Sequence, residues 1–301
     1  MHTMRYSKFI AIAAVLGGVA VASAQTDIAR WNFTAVVAAP DNTPAATTDL
    51  TSAFLTQLDM TNNYTNSAGV VGSQASCDVL VVGGDPNSAS IGDTWRVRGN
   101  GNLATGAPGG NGWSLSAPQY TQGAEMDVST VGFSNILVSF DVFCTNQGIA
   151  DLQVQYNTNI NNSSGWTNFK GSFAGSTGLN GNQAVTHDAA GDTILVLTPN
   201  TYTNNTTTGF ANLDTNTIDF NANSISGAAN DANFGIRLVS CYDPTAGTYL
   251  GASGGTYNNN SGNWRFDQLA VQGVVAAPEL PTGVVFAVVG LGLLIARARR
   301  A

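Results

Sequence analysis

The 301-residue chain carries 11 Lys+Arg against 19 Asp+Glu, with only 10% charged residues and 34 glycines. Soluble domains average about 25% charged residues, so there is too little charge to lace exposed helix faces, which argues against a helix bundle or coiled coil. A net charge of −8 with scattered Arg and Lys argues against a nucleic-acid partner.

In chain order, residues 1–8 carry Arg5 and Lys8, residues 9–21 are uncharged and apolar, and Ala22-Ser23-Ala24 forms an A-x-A site. These are the three regions of a secretory signal peptide. Signal peptidase is expected to cut between Ala24 and Gln25. The exported region, 25–277, keeps six basic and eighteen acidic residues, a net charge of −12. Such a surface stays soluble and offers cations a place to sit.

Within that region the dominant pattern is alternation with a period of two. Ile136, Val138, Phe140, Val142 and Cys144 share one face of a predicted strand over 135–144; Leu152, Val154 and Tyr156 share one over 151–156. Further strands are predicted at 31–37, 79–82, 94–98, 125–129, 193–197, 217–220, 234–241 and 264–271, separated by Gly, Asn, Ser and Thr clusters. Helical spacing is suggested only at the two ends and over 50–58. The expected fold is all-β: a single two-sheet sandwich of the jelly-roll or lectin-like kind, flanked by a cleaved signal helix and a short C-terminal hydrophobic helix. Trp31-Asn32-Phe33 and Trp264-Arg265-Phe266 echo each other, as if the first and last strands pair.

The chain ends with Pro278, Glu279, Leu280 and Pro281, an apolar stretch over 283–296, and Arg297, Arg299 and Arg300. Fourteen helical residues span roughly 21 Å, short of a ~30 Å hydrocarbon core. Residues 278–301 resemble the PEP-CTERM sorting signal of bacterial exported proteins, with Leu280 standing where the family has its second proline. The resemblance implies recognition by an exosortase-type membrane protease, transient membrane anchoring, and delivery to the cell envelope, surface or extracellular matrix. The segments "ARWNF", "VSTVGFSNILVSFDV" and "NWRFDQLAV" resemble the jelly-roll modules that precede such signals. They are also similar in outline to carbohydrate-binding modules.

Candidate chemistry is sparse. His187 is the one histidine of the exported region, expected in a loop. Glu125 and Asp127, at i and i+2 of a predicted strand, partly resemble the Glu-x-Asp-x-x-Glu strand of laminarinase-like glycoside hydrolases. Val128, Ser129 and Thr130 stand where the second Glu would follow, so no catalytic residue is assigned. The pair reads otherwise as solvated acids on an edge strand. Asp27 and Asp267 are candidate ligands of a structural Ca²⁺, provided the terminal strands bring them together. Trp95, Trp113 and Trp166, in or beside Gly/Asn-rich segments, are candidate platforms for sugar stacking. Three cysteines occur, and Cys144 with Cys241, both ending predicted strands, is the expected disulfide. Two functions are compatible with these features: a non-catalytic surface or matrix protein, adhesive or binding an envelope or extracellular polysaccharide, and a secreted polysaccharide-active enzyme.

Overall fold

Turn-rich spacing and period-two alternation leave backbone donors and acceptors that pair only between strands. The computed structural model describes residues 24–33, 44–58, 64–65, 71–72, 77–79, 93–98, 117–146, 148–173, 183–197, 216–254 and 262–276. Ala22, the sorting-signal residues Pro278, Glu279, Leu280, Pro281, Arg297, Arg299 and Arg300, both expected flanking helices and Trp113 lie outside them. Among the described residues the regular structure is all strand, and no helix is long and apolar enough to cross a membrane.

The strands are β1 (Thr26–Trp31), β2 (Thr48–Asp49), β3 (Phe54–Leu58), β4 (Tyr64–Thr65), β5 (Val71–Gly72), β6 (Cys77–Val79), β7 (Asp93–Arg98) and β8 (Gly123–Val128), followed by β9 (Phe133–Cys144), β10 (Asp151–Asn157), β11 (Thr167–Asn168), β12 (Gln183–His187), β13 (Thr193–Leu197), β14 (Asn216–Asp219), β15 (Phe234–Ser240) and β16 (Asn263–Val275). One antiparallel sheet runs β14-β9-β16-β1-β2, with β7 and β6 continuing it from the first half of β16. The second runs β12-β13-β10-β15-β8-β3, with β11 on the far half of β10. Strands β4 and β5 form a separate hairpin.

The alternating residues read from the sequence turn inward. Ile136, Val138, Phe140 and Val142 of β9, with Trp264, Phe266 and Val271 of β16, meet Leu152 and Val154 of β10, Ile236 and Leu238 of β15, Met126 of β8 and Leu55 of β3 in one buried cluster. Two sheets thus enclose one core as a β-sandwich. Each such side chain contributes about 1.5–3 kcal/mol of burial. Trp264 also donates its indole Nε1–H to the Ile149 carbonyl at 2.8 Å, so its polar edge is satisfied inside the core.

The first and last strands do pair: Trp31 lies opposite Leu269 and Thr26 opposite Gly273. The aromatic echo is arranged differently, because Trp264 and Phe266 pair with Val97 and Trp95 of β7. The first strand begins earlier than expected, at Thr26. Helical spacing over 50–58 is overturned as well: β3 is a strand, its Leu55 turned into the core opposite Met126 while Phe54 stays 64% exposed. Strand β8 is internal, with β15 on one side and β3 on the other, so Glu125 and Asp127 do not stand on an edge. Gly123 permits that packing. It sits at φ +147°, and a Cβ there would lie 2.0 Å from the Leu238 carbonyl oxygen.

Candidate functional site on the outer face of the second sheet

With Leu152, Val154, Ile236, Leu238, Met126 and Leu55 pointing into the core, the intervening residues of the same strands line the opposite face. Pairing aligns them in rows across the sheet. Gln155, Arg237, Glu125 and Thr56 form one row; Asn157, Gly235, Asp127 and Phe54 form the next.

Arg237 and Glu125 form an ion pair, their side chains only 22% and 16% exposed. The guanidinium also lies 3.9 Å from the centroid of the Trp166 ring. A cation held between a carboxylate and an indole is strongly positioned. The row extends outward through amides: Gln155 Nε2 donates to Asn168 Oδ1 at 2.8 Å, Asn168 Nδ2 donates to Asp192 Oδ2, and Lys170 reaches Asp192 Oδ1 at 3.2 Å.

Trp166 arrives on a loop whose Asn-rich sequence is turn chemistry. Asn157 Oδ1 accepts from the Asn159 amide and Asn157 Nδ2 donates to the Asn162 carbonyl, while Ile160 N donates to the Asn233 carbonyl. Gly235 makes room for the indole, since a Cβ there would lie 2.9 Å from Trp166 Cη2 and 3.1 Å from Asp127 Oδ1. Asp127 is pushed up to about 7, first by burial, then by the charge of Glu125 and a hydrogen bond between the two carboxyls. Its Oδ1 is buried and accepts no hydrogen bond.

The structure sorts the remaining candidates. Trp166 is half-buried on this face, whereas Trp95 is wholly in the core, stacked on Phe33 at 6.3 Å and tilted against Phe266. Trp95 is therefore no ligand platform. Asp27 and Asp267 are not brought together: Asp27 pairs with Gln272, while Asp267 pairs with Asp141 five positions earlier on β16. Asp27 instead holds the Arg30 guanidinium at 2.7 and 2.9 Å and accepts from Gln272, with Arg30 the larger cause of its lowered pKa. No group of three or more metal-binding His, Cys, Asp or Glu side chains occurs among the described residues. The expected Cys144–Cys241 bridge is not formed. Both are buried free thiols, and Cys144 Sγ donates to the Thr145 and Ile149 carbonyls. Of Cys77 and Asp267 only the backbone is described. His187 ends strand β12, exposed, rather than lying in a loop.

Sequence reasoning missed Arg237 and Phe54. Arg237 had a signal, a charge at an outward position of a strand whose alternate residues are apolar. Phe54 was hidden by the helical spacing over 50–58. A pocket of about 190 Å³ elsewhere, between Asn135, Phe220 and Ile225, has no titratable side chain in its lining. No protein-family model, curated protein or solved structure matches this chain.

Proposed function

We propose that this chain is an exported bacterial surface or matrix protein, sorted through its PEP-CTERM-like tail, whose jelly-roll-like sandwich binds a glycan without cleaving it. The observation that carries the binding reading is the row on the second sheet. Trp166, anchored by Arg237 and Glu125, lies over Gly235, and exposed Phe54 lies two strands away. Adjacent strands are about 4.8 Å apart, so the two aromatics flank Asp127 across roughly 10 Å. Apolar faces of consecutive sugar rings stack on such surfaces, and the Asp127 carboxyl between them takes a hydroxyl.

One feature favours the enzyme alternative: Asp127, pushed up to about 7, keeps a proton to donate near neutrality. Against it, Glu125 is occupied by Arg237 and hydrogen-bonded to Asp127, whereas a retaining pair stands about 5–5.5 Å apart around the scissile bond. Binding is tested by titrating β-glucans and envelope polysaccharides into the full chain and its Trp166→Ala and Phe54→Ser variants. Each substitution is expected to weaken binding at least tenfold. Unchanged affinity in both removes this face from the account. Sorting is tested by mass analysis of the exported protein, expected to begin at Gln25 and to lack the Arg tail.

A further inference from the structure

Buried acids on the second sheet differ in one respect. Glu125 has Arg237, Asp192 has Lys170 and Asn168, and Asp127 has the Glu125 carboxyl. Asp151, the first residue of β10, has no such partner. It is 0% exposed, and neither carboxylate oxygen accepts a hydrogen bond.

Beside the Cys241 thiol, which feels its charge, the groups around it are acceptors. Two residues on, facing the same way, Gln153 is also 0% exposed and its Oε1 is unpartnered. The amide is fixed in that orientation, because Nε2 donates to the Val154 and Phe169 carbonyls at 2.7 and 3.3 Å. From the other side comes Asp243, two residues past Cys241, whose backbone N donates to the Asp151 carbonyl at 3.1 Å. Asp243 Oδ1 accepts from the Thr245 and Ala246 amides, and the turn does not use Oδ2. Burial first, and the Asp243 charge second, push Asp151 up to about 7. A proton would remove the charge and donate to one of these acceptors, yet leave the second Asp151 oxygen and the other acceptor unmatched.

We infer that Asp151, Gln153 Oε1 and Asp243 form a binding site for an oxygen-coordinated divalent cation of the Ca²⁺ class, which pins the 243–248 turn to the start of β10. Ca²⁺ accepts carboxylate, amide and backbone-carbonyl oxygens at 2.3–2.6 Å in flexible geometry, which suits two carboxylates and an amide. This site is distinct from Asp27 and Asp267, and it does not depend on the glycan reading.

The test uses the chelator-treated full chain, melted with Ca²⁺ alone at about 1 mM, a level at which exported modules bind it. The midpoint is expected to rise by ~5 °C. Asp151→Asn should abolish the rise, while melting in chelator no lower than the parent, which separates lost binding from lost folding. Asp243→Asn should weaken Ca²⁺ at least tenfold. No shift at ten times that concentration, or the same shift in both variants, overturns the proposal.

Discussion

The Arg237 guanidinium packs on the Trp166 indole, 3.9 Å from its centroid, while its Nε donates to Glu125. Three residues from two strands and a loop therefore hold one another. Removing the cation leaves a largely buried carboxylate beside a second one, so Arg237→Met should cost about 2 kcal/mol, less than a fully buried pair because both groups keep some solvent. Glu125→Gln keeps a hydrogen-bond acceptor and removes the charge that helps raise Asp127. Its Asp127 titration, followed by NMR, should move down toward the ordinary carboxylate range. An unmoved titration would mean that burial alone sets it.

Gly235→Ala separates the site from the fold. The new Cβ would lie 2.5 Å from Ile160 Cγ2 and 2.9 Å from Trp166 Cη2, both side-chain atoms. The expected cost is about 1–2 kcal/mol, with glycan affinity falling at least tenfold as the indole leaves Arg237. Gly123→Ala contrasts with it, because there the clash is with the Leu238 backbone carbonyl and a positive φ is strained as well. Loss of the cooperative melt is expected for Gly123→Ala and retention for Gly235→Ala. Equal effects would contradict the distinction.

Acid–base linkage has a definite sign here. Asp127 and Asp151 are both raised from 3.8 to about 7, so between these values the folded chain holds protons that the unfolded chain has released. Their contribution to stability is full below pH ~4 and is lost as pH rises toward 7. Asp27 acts oppositely, lowered chiefly by Arg30, so its contribution is present above pH ~4 and lost as pH falls below that. Chelator-treated protein should show a declining denaturant midpoint from pH 5 to 8, flattened in the Asp127→Asn, Asp151→Asn double variant. A midpoint that rises over that range would refute the assignment.

Burial pushes both Cys144 and Cys241 thiols well above the ordinary range, and both are enclosed. The folded protein should leave both thiols unlabelled by iodoacetamide at pH 8 for hours, and label them on denaturation. Peptide mapping that finds a Cys144–Cys241 disulfide would contradict the free-thiol state.

Period-two alternation made the core readable: Ile136, Val138, Phe140 and Val142, like Leu152 and Val154, point inward as their spacing requires, because a half-buried strand has one choice of face. Local spacing misleads at 50–58, where pairing of Leu55 with Met126 overrides a helical look. Glu125 and Asp127 were visible as a pair, but their meaning was not. It depends on Arg237, 112 positions away, and on β3 covering the strand's other side. The same holds for Asp151, whose isolation is a property of the residues around it, and for Cys144 and Cys241, whose side-chain directions no spacing conveys.

Glycan binding and the absence of turnover are read at once by one experiment. Titration of the full chain with a panel of β-glucans and envelope polysaccharides, with reducing ends counted in the same samples, should give saturable heat that Trp166→Ala weakens at least tenfold, and no release of reducing sugar. Reducing ends that accumulate with the parent chain and disappear with Glu125→Ala would contradict the account and establish the hydrolase.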